Sequence, residues 1–126
     1  MHYRRLGRSG LKVSEIGLGA WITMGNQIDE KLSSDLIHAA YDQGVIFFDN
    51  SDAYAGGQAE VVMGKAIKDL PRTGLVLSSK VFWPTMPGPN GRGLSRKHIT
   101  EAIHASLKRL DTDYVDIYFC HRHDPD

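Results

Sequence analysis

Four side chains in this sequence have the types and the spacing for carbonyl chemistry. Asp49 closes the apolar run VIFF, and Tyr54 follows five residues later in the loop SDAYAGG. Lys80 lies at the end of LVLSSK, and His121 directly follows VDIYFC. A phenol is a weak acid at neutral pH, with an ordinary pKa of about 10. An ammonium beside it favours the phenolate and eases release of the proton. A carboxylate paired to that ammonium keeps it charged and oriented. An imidazole can hydrogen-bond a carbonyl oxygen and place it. Such a set could protonate a carbonyl oxygen while a hydride attacks the carbon. The hydride would have to come from a cofactor.

Taken singly, each residue has an ordinary reading. Asp49 is a turn former or helix cap, Tyr54 a surface aromatic, and Lys80 the solvated end of a strand. His121 stands in the polar cluster HRHDPD. The convergence of four residues from separate parts of the chain points to a site. HRHD also raises a rival, a metal-dependent hydrolase that uses His121, His123 and Asp124, because H-x-H at a strand end can hold a metal. No third or fourth ligand is evident at the other strand ends, so no metal is expected. A Rossmann dehydrogenase is discounted. GLGAW offers Gly17 and Gly19, but Ile22 stands where the third glycine is required.

The elements that must position these residues follow a repeating order. HYRRLGRSGLKVS, residues 2–14, predicts a β-hairpin around Arg8-Ser9-Gly10, and EIGLG predicts a short strand. Asp29 predicts an N-cap for a helix over 30–43, with Leu32, Leu36, Ile37, Ala40 and Tyr41 on its inward face and Gly44 at its stop. VIFFDN, residues 45–50, is a predicted buried strand. A helix over 57–69 follows, with Val61, Val62, Ala66 and Ile67 inward and Pro71 beyond it. LVLSSKV, residues 75–81, is the next strand, followed by the Pro- and Gly-rich loop FWPTMPGPNGRG. Ser95 caps an amphipathic helix whose face runs Ile99, Ala102, Ile103, Ser106, Leu107, Leu110. VDIYFC, residues 115–120, is the last strand. Alternation places Cys120 opposite His121, in a packing role.

The order hairpin-β-α-β-α-β-α-β implies parallel strands with helices outside. A doubly wound open sheet is one solution. The other is a TIM (β/α)8 barrel, which needs eight βα units and about 250 residues. At 126 residues, a hairpin plus four strands and three helices amounts to half of one.

Composition excludes several classes. Fifteen basic residues balance fifteen acidic ones, which gives no electrostatic case for nucleic acid. No apolar run is long enough to span a bilayer, and MHYRRLGRSG lacks the apolar core of a signal peptide. Cys120 is the single cysteine, so no internal disulfide forms. These features point to the cytoplasm.

The segments YRRLGRSGLKVSEIGLGAW, GVIFFDNSDAYAGGQAEVVMGKAI, LVLSSKVFW, GLSRKHITEAIHASLKRLDTDYVDIYFCHR and DPD resemble the N-terminal part of an aldo-keto reductase. They are most similar to the branch that includes potassium-channel β-subunits and their bacterial relatives. The resemblance implies that Asp49, Tyr54, Lys80 and His121 are the catalytic tetrad, with Tyr54 the general acid in reduction. Lys80 and Asp49 would tune Tyr54, and His121 would orient and polarise the carbonyl. It also implies that Ala20, Trp21, Gln27 and Asp49 lie near the nicotinamide end of NADPH, with Ala20 where relatives usually carry threonine. Trp83 and Pro84 fall where the substrate loop begins. The channel β-subunits carry asparagine at the position of His121, so the histidine favours an enzyme over a non-enzymatic regulatory subunit.

The implied substrate is a small aldehyde or ketone and the implied cofactor is NADPH/NADP. Residues 1–126 would form the N-terminal part of a single oxidoreductase barrel domain. Later strands of the family supply most of the cofactor site. The expectation is therefore a truncated or partial reductase, inactive alone, with open sheet edges that favour self-association.

Overall fold

The computed structural model describes residues 1–126. Strands β1 (Tyr3–Arg5) and β2 (Lys12–Ser14) pair antiparallel as the expected hairpin. Ser14 ties it to the rest of the chain. Its hydroxyl donates to the Ile16 carbonyl and accepts from the Ile46 and Phe47 N–H groups. Tyr3 Oη donates to the Gly44 carbonyl 2.9 Å away. The hairpin thus lies against the start of the strand that begins just after Gly44, at the opposite end from Asp49.

Strand β3 (Gly17–Gly19) opens a four-stranded sheet with β4 (Phe47–Asp49), β5 (Val76–Val81) and β6 (Ile117–Cys120). All neighbours are parallel and the spatial order β3-β4-β5-β6 follows the chain. A doubly wound sheet reverses its strand order part-way; this one does not, so the chain builds a barrel segment. Helices α1 (Glu30–Asp42), α2 (Gln58–Ala66) and α3 (Arg96–Leu110) are the crossovers.

The caps fall where the sequence put them. The Asp29 side chain accepts from Leu32 N–H and the Ser95 side chain from His98 N–H. Each satisfies an orphan donor of the first turn, worth about 1 kcal/mol. Gly44 (φ 90°) takes the left-handed conformation after α1 that the sequence assigned to it. The second helix is shorter than the periodicity suggested. A 3-10 turn over Tyr54–Gly57 precedes it, and Ile67 is already its C-cap.

The core lies between sheet and helices. Phe48, Leu77, Ile37, Met63, Val62 and Leu110 pack there, all at or near zero exposure. The closest approach is between α2 and α3. A Cβ added at Gly64 would meet the Leu110 carbonyl carbon and oxygen at 2.7 Å. Alanine is the better helix former by about 1 kcal/mol, but backbone atoms cannot yield as side chains do. We expect Gly64→Ala to lose net stability, about 1 kcal/mol or more. A raised urea midpoint for this variant would contradict that packing.

Glu60 is fully buried, and it accepts from Arg109 Nε at 2.7 Å and Ser79 Oγ at 2.6 Å, joining α2, α3 and β5. Removing one partner of such a pair strands the other and costs about 3 kcal/mol or more.

Three packing expectations are corrected. Leu32 and Leu36 are exposed, not inward. They lie on the flank of α1 away from α2, which packs along the other flank through Glu30–Lys65 and His38–Ala66. Cys120 is exposed, not packed. It pairs with Val81 at the last position of β6, the edge strand of the sheet, where no further strand of this chain flanks it. Val61 is half-buried, whereas Val62, Ala66 and Ile67 are buried as expected, together with Ala59, Glu60 and Met63. No helix is long and apolar enough to cross a membrane.

Candidate active site

Parallel strands in register bring their C-terminal ends level. Asp49 pairs with Ser78, and Lys80 follows two residues on, on the same face of the sheet. Lys80 Nζ is the hub. It donates to Asp49 Oδ2 at 2.7 Å, to the Asn50 carbonyl at 2.8 Å and to Tyr54 Oη at 2.9 Å. Three acceptors saturate an ammonium. The second Asp49 oxygen accepts from Ser78 Oγ at 2.6 Å. The ion pair is largely shielded, the Lys80 side chain being 13% exposed and that of Asp49 29%.

Tyr54 reaches this position because the loop after β4 is pinned. Asn50 N–H donates to the Ser78 carbonyl, and Asn50 Nδ2 to the Ala59 carbonyl. Directly after Tyr54 the backbone turns left-handed at Ala55 (φ 50°), Gly56 (63°) and Gly57 (92°) before entering α2. A non-glycine residue there costs on the order of 1 kcal/mol. Local strain is therefore accepted in the turn that follows the phenol.

His121 lies one residue past β6, held by its N–H on the Val81 carbonyl at 2.9 Å. Its ring stands edge-on to Tyr54, with centroids 5.8 Å apart at 85°, and 6.1 Å from Trp83. Its Nδ1 lies 3.2 Å from Ser51 Oγ. Burial, then the Lys80 and Arg122 charges, hold the imidazole below its ordinary pKa. It is therefore neutral at pH 7.

The residues expected around a nicotinamide fall in three places. Trp21 is 68% exposed with its ring 6.4 Å from that of Tyr54. Ala20 is fully buried, its N–H on the Asp49 carbonyl. Gln27 is exposed in a separate groove with Asn26, Asp29 and Gln58. Around HRHD, Asp124 accepts from the Leu94 and Asp126 N–H groups, and no three possible ligands gather there or elsewhere.

Sequence reasoning missed Ser78, Ser51 and Asp52. Period-2 alternation back from Lys80 would have found Ser78. Asp52 is 2% exposed, and its Oδ2 is buried without a partner. Burial, with the Glu60 carboxylate nearby, pushes its carboxyl up to about 6. A folded-state pKa above the unfolded one means that stability is present at low pH and is lost as pH rises from about 4 to about 6. Asp52→Asn should therefore be the more stable form at pH 7, by about 2 kcal/mol, and should equal the native chain near pH 4. Urea unfolding at both pH values checks this, and equal stability at pH 7 would contradict it.

The Aldo/keto reductase family model matches residues 15–126. The chain belongs to this family. Two curated aldo-keto reductase relatives are each called a probable voltage-gated potassium channel subunit beta, one from Arabidopsis thaliana and one from Oryza sativa subsp. japonica. Each is 55% identical over 126 residues, 98% of this chain. The chain spans 38% of the length of these relatives. A crystal structure of a thermostable aldo-keto reductase in complex with the inhibitor epalrestat superposes with a TM-score of 0.85 at 37% identity. That match covers 99% of this chain and 44% of the other. The fold is the aldo-keto reductase TIM barrel in part, a parallel sheet with three helices, and family membership supports an oxidoreductase.

Proposed function

We propose that this chain carries the catalytic end of an NADPH-dependent carbonyl reductase, with Tyr54 as the acid that protonates an aldehyde or ketone oxygen. The observation that carries this reading is the Asp49–Lys80–Tyr54 chain of hydrogen bonds, 2.7 and 2.9 Å long, at the C-terminal ends of the strands. Chemistry in this architecture gathers at that end. Lys80 donates to Tyr54 Oη, so the phenol's own hydrogen is free to point outward. As that proton leaves, negative charge grows on an oxygen already facing an ammonium. Asp49 keeps the ammonium charged and aimed. His121, edge-on to Tyr54, is placed to donate to the same carbonyl oxygen when its Nε2 carries the ring hydrogen.

The residues present fit the reactive end of a nicotinamide. Trp21 offers an exposed aromatic face beside Tyr54, and Trp83 flanks His121. Bound there, the reduced cofactor would supply the hydride. The chain's own part is to orient the carbonyl and deliver the proton.

A channel-associated role is the second reading, favoured by the 55% identity to two probable channel β-subunits. The two readings differ in turnover. Aldehyde-dependent loss of NADPH absorbance, run on this chain and on a longer polypeptide carrying it, tests the reductase reading. Loss that saturates with aldehyde supports it, and none above background in either sample overturns it.

A further inference from the structure

Ser51 sits between His121 and Asp52, and its hydroxyl is fully committed. It lies 3.2 Å from His121 Nδ1 and 3.3 Å from Asp52 Oδ1, and it accepts from the Ala53 N–H at 3.3 Å. A hydroxyl has one hydrogen to give. An ionised Asp52 can only accept, so it takes that hydrogen. His121 Nδ1 must then carry a hydrogen and donate to Ser51 Oγ. That leaves Nε2 of the neutral ring as a bare lone pair. When Asp52 does not claim the hydroxyl hydrogen, Ser51 donates to Nδ1 instead and Nε2 carries the hydrogen. The state of a carboxylate two bonds removed from the ring thus decides whether His121 offers a donor or an acceptor to the open face.

We infer that Asp52 is a positioning residue which, acting through Ser51, selects the tautomer of His121. The geometry stands independently of the reductase reading. The consequence rests on that reading: only an Nε2–H can polarise a carbonyl oxygen, whereas a bare Nε2 accepts from an alcohol.

Asp52 is built to switch. It is 2% exposed, and its second oxygen has no partner. It lines a cavity of about 390 Å³ with Ala53, Gly56, Pro84, Thr85, Met86 and Arg109. The charged and titratable groups around it are the Glu60 carboxylate on α2, the Arg109 guanidinium on α3 and Tyr118 on β6. Glu60 favours its neutral form and Arg109 its charged one. Arg109 is already engaged by Glu60 and Ser106. The Tyr118 hydroxyl is buried without a partner, and burial and then Asp52 hold it above its ordinary pKa, so it stays neutral. Around His121 itself stand Lys80, Arg122 and Asp49. With Asp52 titrating at about 6, the change falls within the ordinary working range of pH.

The test is nitrogen-15 NMR of the His121 ring in the full chain, which needs neither cofactor nor turnover. At about pH 8, above the titration of both groups, the native ring should carry its hydrogen on Nδ1. Asp52→Ala should move it to Nε2, with a change in tautomer ratio of about tenfold. In a Ser51→Ala background the same substitution should change nothing. An unchanged ratio in Asp52→Ala, or an equal change without the serine, overturns the proposal. Should Asp52→Ala lose its amide dispersion, Asp52→Asn decides. Among the neutral rings, the native ratio should shift toward Nε2–H as pH falls through about 6, and the Asp52→Asn ratio should not. A shift of native size in Asp52→Asn overturns the proposal. Because no turnover is read, this result stands apart from any failure of the reductase assay.

Discussion

Tyr54→Phe is expected to lower carbonyl reduction by about 10²–10⁴-fold, the usual worth of a positioned general acid. The variant keeps the ring and its contacts with Trp21 and His121. It loses only the hydroxyl, whose hydrogen bond is to Lys80. The fold should hold, because Asp49 and the Asn50 carbonyl still occupy two of the three donors of the ammonium. Binding of NADPH should change little for the same reason. The expected signature is therefore a fall in kcat at saturating NADPH with a melting temperature close to native. Turnover near the native rate would remove Tyr54 from the chemistry and leave the tetrad assignment without its acid.

Lys80→Met is expected to cost as much activity and a good deal of stability. The thioether cannot donate, so Tyr54 loses the charge that stabilises the phenolate left as its proton departs. Asp49 is left with Ser78 Oγ alone among its side-chain partners. Stranding one member of a shielded pair costs about 3 kcal/mol. The two effects separate in the double variant Asp49→Asn/Lys80→Met. Removing both charges should recover most of the lost stability, because no uncompensated carboxylate remains. It should recover none of the turnover. Thermal melts and steady-state rates on the native chain, the single variant and the double variant check both halves. Recovered turnover in the double variant would contradict an electrostatic role for the lysine.

Much of the architecture was legible because its signals are local. The Asp29 and Ser95 side chains, the 3.6-residue period of α3 and the Pro- and Gly-rich loop after β5 are written within a few residues each. The four site residues were legible for a different reason. They fall near the C-terminal ends of successive strands, and the register of parallel strands brings such ends together. What stayed hidden depends on distant neighbours. Leu32 and Leu36 look inward by period, yet which flank of α1 is covered depends on where α2 lies. Alternation gives Cys120 a packing role, yet it ends the edge strand of the sheet, and its burial depends on what lies beside that edge. Gly64 reads as an ordinary helix interruption until Leu110 is seen against it. Asp52 lies inside the very loop that names the tyrosine. Its influence on His121 runs through Ser51, across 70 residues of sequence, and no spacing rule reports that.

The proposed reaction carries a hydride to a carbonyl carbon at this site while Tyr54 supplies the proton. Deuterium-labelled NADPH, supplied with an aldehyde to the polypeptide carrying this sequence, tests it most directly. One deuterium is expected on the alcohol carbon of the product by mass spectrometry, with a sharply lower yield of that product for Tyr54→Phe. An alcohol without the label, or labelled product formed equally by the Tyr54→Phe variant, would contradict it.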